Sequence, residues 1–74
     1  MTIRFSYHAR LRMAQWNFTE LDVRRTIHDA PTTWPGHSGC TEYVGASLIA
    51  TVSPDGTVVT VKLISATRYE HPAA

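Results

Sequence analysis

The spacing of apolar positions changes period twice along the chain. Thr2 to Phe5 alternates, with Ile3 and Phe5 on one side and Arg4 on the other, which predicts a short edge strand. From Tyr7 the spacing is helical. At about 100° per residue, His8, Arg12 and Gln15 fall on one narrow polar stripe, between an apolar wall of Ala9, Met13 and Trp16 and a second wall of Tyr7, Leu11 and Ala14. On that geometry His8 and Arg12 lie where a core-facing helix begins to bury its side chains, while Arg10 points to solvent. Ser6 is the N-cap of this helix and Asn17 ends it.

Thr19-Glu20-Leu21-Asp22 opens a second helix with the cap-plus-acid pattern, its carboxylates in the first turn where the helix dipole favours them. This helix extends to about Asp29 and is stopped by Pro31. Leu21, Val23 and Ile27 are its sparse apolar positions, and Arg24, Arg25 and His28 occupy a mostly exposed side. Pro31 to Gly39 reads as a loop, long enough to act as a flap, carrying Trp34 and His37. From Cys40 the period becomes two, over Thr41–Val44, Leu48–Ser53 and Thr57–Ser65. Gly45-Ala46 and Ser53-Pro54-Asp55-Gly56 are the turns between these strands. In the last strand Val59, Val61 and Leu63 are expected on the core face, with Thr67, Tyr69 and His71 following on that side, and Thr60, Lys62 and Arg68 opposite.

The order β-α-α-β-β-β predicts an α+β domain, residues 1–74, in which a two-helix hairpin packs on one face of a small antiparallel sheet. With 74 residues such a domain buries only about 60–65% of the surface of its unfolded chain, so help from a partner is expected. An exposed edge at Thr2–Phe5 or Thr41–Val44 would allow a homodimer.

A hydrophobic share of 43% and a charged share of 18% exclude a disordered tail. The net charge of +1 gives little general attraction for nucleic acid, but six of the seven cations are arginine, the residue suited to forked contacts with phosphate or carboxylate. Cys40 is the single cysteine, which points to a reducing compartment. Without an apolar leader or a membrane-length run, the expectation is a cytoplasmic protein with no membrane partner. The histidines show no metal-ligand spacing, so no metal and no cofactor are expected.

Several of these residues resemble a known family. His8-Ala9-x-x-Arg12-Met13 on a first helix, the Thr19-to-Val23 start of a second, the proline after it, Gly36-His37 before a strand with Tyr43, and a valine-rich strand leading to Thr67-x-Tyr69 are similar to the small "HA-x-x-R-M" domains. These form a bacterial domain family of unknown function, grouped with the barnase, EndoU, colicin E5 and D, and RelE nuclease superfamily. The resemblance covers nearly the whole chain. It implies a RelE-like fold and a metal-independent ribonuclease, the toxin of a toxin–antitoxin or toxin–immunity pair, whose partners are RNA and a neutralising protein. Carried over, His8 and Arg12 match the helix motif, His37 the turn before a strand, and Thr67 and Tyr69 the chain's closing strand. The segment after Leu63 reads Ile-Ser-Ala-Thr-Arg-Tyr, longer than the direct Thr-x-Tyr closure of shorter members.

RNA cleavage without a metal needs a base for the 2′-hydroxyl, an acid for the leaving 5′-oxygen and cations for the pentacovalent phosphate. On this reading His8 exchanges a proton, Arg12 and Arg68 hold the phosphate, and Tyr69 or His71 makes the complementary transfer. Lys62, Trp34, His37 and Thr67 contact the RNA. The residues also admit plainer roles. His8 could pack with Tyr7, Arg12 could pair with Glu20 or Asp22 across the hairpin, and Trp34 could cap the sheet. A non-catalytic RNA- or protein-binding module of the same fold is the alternative.

Overall fold

The computed structural model describes residues 2–64. In chain order the elements are β1 (Arg4–Phe5), α1 (Tyr7–Trp16), α2 (Glu20–Asp29), β2 (Thr32–Pro35), a 3-10 turn at His37–Gly39, β3 (Thr41–Val44), β4 (Leu48–Val52) and β5 (Thr57–Leu63). The strands form one mixed sheet in the order β1-β5-β4-β3-β2, with β1 parallel to β5 and every other pair antiparallel.

Helix boundaries follow from the caps. The Ser6 hydroxyl accepts from the Ala9 N–H at 3.0 Å, and Asn17 closes α1 in the left-handed conformation (φ 63°), its N–H directed to the last-turn carbonyls. At α2 the Thr19 hydroxyl accepts from the Asp22 N–H, while the Asp22 carboxylate accepts from the Thr19 N–H at 2.9 Å. These bonds hold the Asp22 carboxyl below its ordinary pKa.

Both helices bury their apolar side against the same face of the sheet. Ala9 and Met13 from α1 and Val23 from α2 meet Leu48, Ala50, Val52, Val58 and Val61 in one core, with Ile3, Phe5, Phe18, Ile27 and Tyr43 around it. Phe5 is also clasped from outside. The guanidinium groups of Arg10 and Arg24 lie 5.4 and 5.3 Å from its ring centroid, and Glu20 forms ion pairs with both, hydrogen-bonded to Arg10 at 2.7 Å and 3.8 Å from Arg24. One phenyl ring and one carboxylate thereby join β1, α1 and α2.

The sheet is mixed rather than antiparallel as expected, because β1 runs parallel to β5. Three further sequence-based expectations are corrected. The segment after Pro31 is not simply a loop, because Thr32–Pro35 pairs with Thr41–Val44 as the outermost strand. Thr41–Val44 is consequently an interior strand paired on both sides, not the free edge expected to allow a homodimer. The new edge is also guarded. Gly36 donates to Cys40 and Gly45 to Leu48, so in the antiparallel alternation Thr32 and Trp34 bond inward to β3, and residues 31, 33 and 35 face outward. Two of those three are proline, leaving Thr33 as the outward N–H donor of the strand.

The third correction concerns β5. Thr51 pairs with Thr60 but Val52 pairs with Val58, so Val59 is an extra residue in a β-bulge. Strict alternation would put Val59 in the core. Instead Val58 and Val61, three residues apart, are both fully buried, and Val59 is 37% exposed. We therefore expect Val58→Ala to lower the unfolding free energy by about 2 kcal/mol and Val59→Ala by less than about 1 kcal/mol, measured by urea denaturation. Equal losses would contradict the bulged register.

Candidate functional site

Helix α1 lies against β5 with its Ala9–Met13 side inward, and this rotation decides what faces outward. His8 is exposed and Arg12 half-buried. The polar stripe is thus not walled on both sides: Trp16 is half-buried beside Met13, but Tyr7 and Leu11 stand 79% and 51% exposed. The expected burial of His8 at the core margin does not occur.

Arg12 differs from its neighbours in what it bonds. Arg4 pairs with Asp55 at 3.2 Å, and Arg10 and Arg24 share Glu20. Neither Glu20 nor Asp22 pairs with Arg12, so the expected alternative of an ion pair across the hairpin is not what the structure contains; Arg10, expected to point to solvent from α1, pairs with Glu20. The Arg12 guanidinium donates to the neutral Gln15 side-chain oxygen at 3.0 Å. A neutral acceptor orients the guanidinium, and no carboxylate among the described residues compensates its charge, the condition a phosphate-binding arginine needs. His8 lies one turn before it on the same stripe.

The other predicted site residues that are described are not gathered around α1. Strand pairing sets Trp34, Glu42, Thr51 and Thr60 in one row, and Thr32, Val44, Ile49 and Lys62 in the next, on the face opposite the helices. Lys62 is therefore separated from His8 and Arg12 by the sheet itself. Trp34, 51% exposed, and His37, in the turn after it, belong to the β2 edge, three strands and about 14 Å from β5. Trp34 lies on the face opposite the helices and does not join the α1 stripe. Thr67, Arg68, Tyr69 and His71 lie outside the described residues.

The face opposite the helices is not open throughout. Ile49 is only 5% exposed and the Thr51 hydroxyl oxygen is sealed. A shallow cleft of about 350 Å³ sits elsewhere, between the C-terminal end of α2, Pro31 and the Gly45-Ala46 turn, and is lined by none of the predicted site residues. Among the described residues no three His, Cys, Asp or Glu side chains converge as a metal site. No described helix is long and apolar enough to cross a membrane.

The exposed Tyr7–Leu11 ridge is the feature that sequence reasoning missed. Its signal was present in the absence of any acidic residue from Tyr7–Trp16 and in the two apolar walls, only one of which a helix lying on a sheet can bury. No family model matches the chain, and neither the curated proteins nor the solved structures contain a match to it.

The best-defined electrostatic centre outside α1 is structural. In the Ser53–Gly56 turn the Asp55 carboxylate accepts from the Ser53 hydroxyl and from the Thr57 N–H at 3.0 Å, with Arg4 beside it, and its pKa falls from 3.8 to about 2. A depressed carboxylate pKa stabilises the fold above the unfolded value and ceases to do so as pH falls through the folded one. Asp55→Asn should accordingly have a lower Tm than the parent at pH 7, with the gap closing between pH 3.8 and about 2. A gap unchanged over that window in calorimetric scans would contradict this role.

Proposed function

We propose that this domain is a small metal-independent ribonuclease of the toxin type, with α1 as its RNA-contacting element and a cognate antitoxin or immunity protein as its neutralising partner. The observation that carries the proposal is the state of Arg12: oriented by Gln15, lacking a carboxylate among the described residues, and one turn from exposed His8. The resemblance to the "HA-x-x-R-M" domains, and through them to a RelE-like arrangement, adds to it.

The chemistry assigned to α1 is transesterification. The RNA 2′-oxygen attacks the adjacent phosphorus as its proton passes to a base, the bond to the 5′-oxygen breaks, and that oxygen takes a proton from an acid. The products are a 2′,3′-cyclic phosphate and a 5′-hydroxyl. His8 serves one of the two proton transfers, and Arg12 donates hydrogen bonds to the phosphate oxygens as negative charge grows on them. Arg68 assists at the phosphate and Tyr69 or His71 supplies the other proton transfer in this proposal; those three lie outside the described residues.

A second reading, a non-catalytic RNA- or protein-binding module of the same fold, is favoured by the placement of Lys62, Trp34 and His37 away from α1. Incubation of purified protein with bulk transfer and messenger RNA in the presence of a chelator separates the two. On the ribonuclease reading, cyclic-phosphate ends accumulate, His8→Ala lowers the rate by about 10²–10⁴-fold and Arg12→Ala by about 10²–10³-fold. Both variants should keep the parent's circular dichroism, because neither side chain is buried. Absence of cleavage by the folded parent overturns the ribonuclease reading.

A further inference from the structure

The outward side of α1 carries more than its polar stripe. Tyr7 and Leu11 are one turn apart and 79% and 51% exposed, and exposed Ala14 extends the line by another turn. This ridge is opposite Ala9 and Met13, so the fold does not use it. Apolar side chains at i, i+4 and i+7 on an uncovered helix are the anchors of helix-to-helix or helix-in-groove recognition. Phosphate gains nothing from Leu11 or Ala14, which sets the ridge apart from an RNA site.

Charge narrows the occupant. Helix α1 contains two arginines, a histidine and no acidic residue. On one flank of the ridge Arg10 shares Glu20 with Arg24, and on the other Arg12 and His8 have no carboxylate among the described residues. A second copy docked helix to helix would bring uncompensated Arg12 near its own equivalent, a like-charge contact that costs affinity. A partner with carboxylates beside its apolar positions would instead supply the acid that Arg12 lacks.

We infer that the Tyr7–Leu11–Ala14 ridge, with Arg12 and His8 along its flank, docks an acidic amphipathic helix of a partner protein that covers Arg12 when bound. Identification of that partner as the neutralising protein rests on the ribonuclease reading; the contact itself does not.

The test uses the full chain and two synthetic amphipathic helical peptides, alike on a leucine- and alanine-bearing face and differing in glutamate or lysine on the other. In fluorescence anisotropy the glutamate peptide should bind and the lysine peptide should not. Tyr7→Ser, Leu11→Ser and Arg12→Gln should each weaken binding about tenfold or more, while Arg25→Gln on α2 leaves it unchanged. Leu11→Ser should still cleave RNA at the parent's rate, and the glutamate peptide should inhibit cleavage by the parent. Failure of the glutamate peptide to bind, equal binding of the two peptides, or insensitivity to the three substitutions overturns the docking surface. Loss of cleavage in Leu11→Ser assigns the ridge to RNA and overturns it too. Peptide binding by a chain that cleaves no RNA overturns the ribonuclease reading alone.

Discussion

Ser6 is the residue on which the placement of α1 depends. Its N–H donates to the Val58 carbonyl and its hydroxyl to the Val59 carbonyl, both at 3.0 Å; the same hydroxyl accepts from Ala9, and its own carbonyl accepts from Arg10. Every polar group of Ser6 is thereby engaged, through two hydrogen bonds within α1 and two with β5. The acceptor of its hydroxyl is the carbonyl of the bulge residue. The bulge in β5 and the start of α1 are consequently one construction, tying the helix N-terminus to the sheet beside β1. With the helix held there, Ala9 and Met13 enter the core and Tyr7, His8 and Leu11 face outward.

Elements whose cause is local were legible from sequence. The helix limits at Ser6, Asn17 and Thr19 each rest on one side chain bonding backbone two or three residues away, or on one residue tolerating positive φ. The Ser53–Gly56 turn is of the same kind, with Gly56 at φ 92°. The sheet's outer strand was missed because Pro31 and Pro35 ordinarily signal a loop, and only the pairing partner shows that both occupy outward positions where no N–H is needed. Val59 was misplaced for a related reason. A bulge is a mismatch between two strands, and neither strand alone encodes it.

For the candidate site, the stripe of His8, Arg12 and Gln15 was readable from helical spacing, whereas its exposure was not. Spacing fixes which residues share a stripe, but the docking of the helix fixes which stripe is covered. Partner choice among the arginines was equally a matter of tertiary placement. Glu20 pairs with Arg10 and Arg24 around the Phe5 ring, while Arg12, on the other flank of α1, bonds Gln15.

The central claim is that RNA engages the His8–Arg12–Gln15 stripe of α1. The most direct measurement is an amide chemical-shift titration of the full chain with a short single-stranded RNA carrying a deoxy sugar at each potential cleavage position. The account predicts perturbations concentrated at His8, Arg12 and Gln15 and lost in Arg12→Gln, with Trp34, Thr60 and Lys62 unmoved. Perturbations confined to the Trp34–Lys62 face, or unchanged by Arg12→Gln, would contradict it.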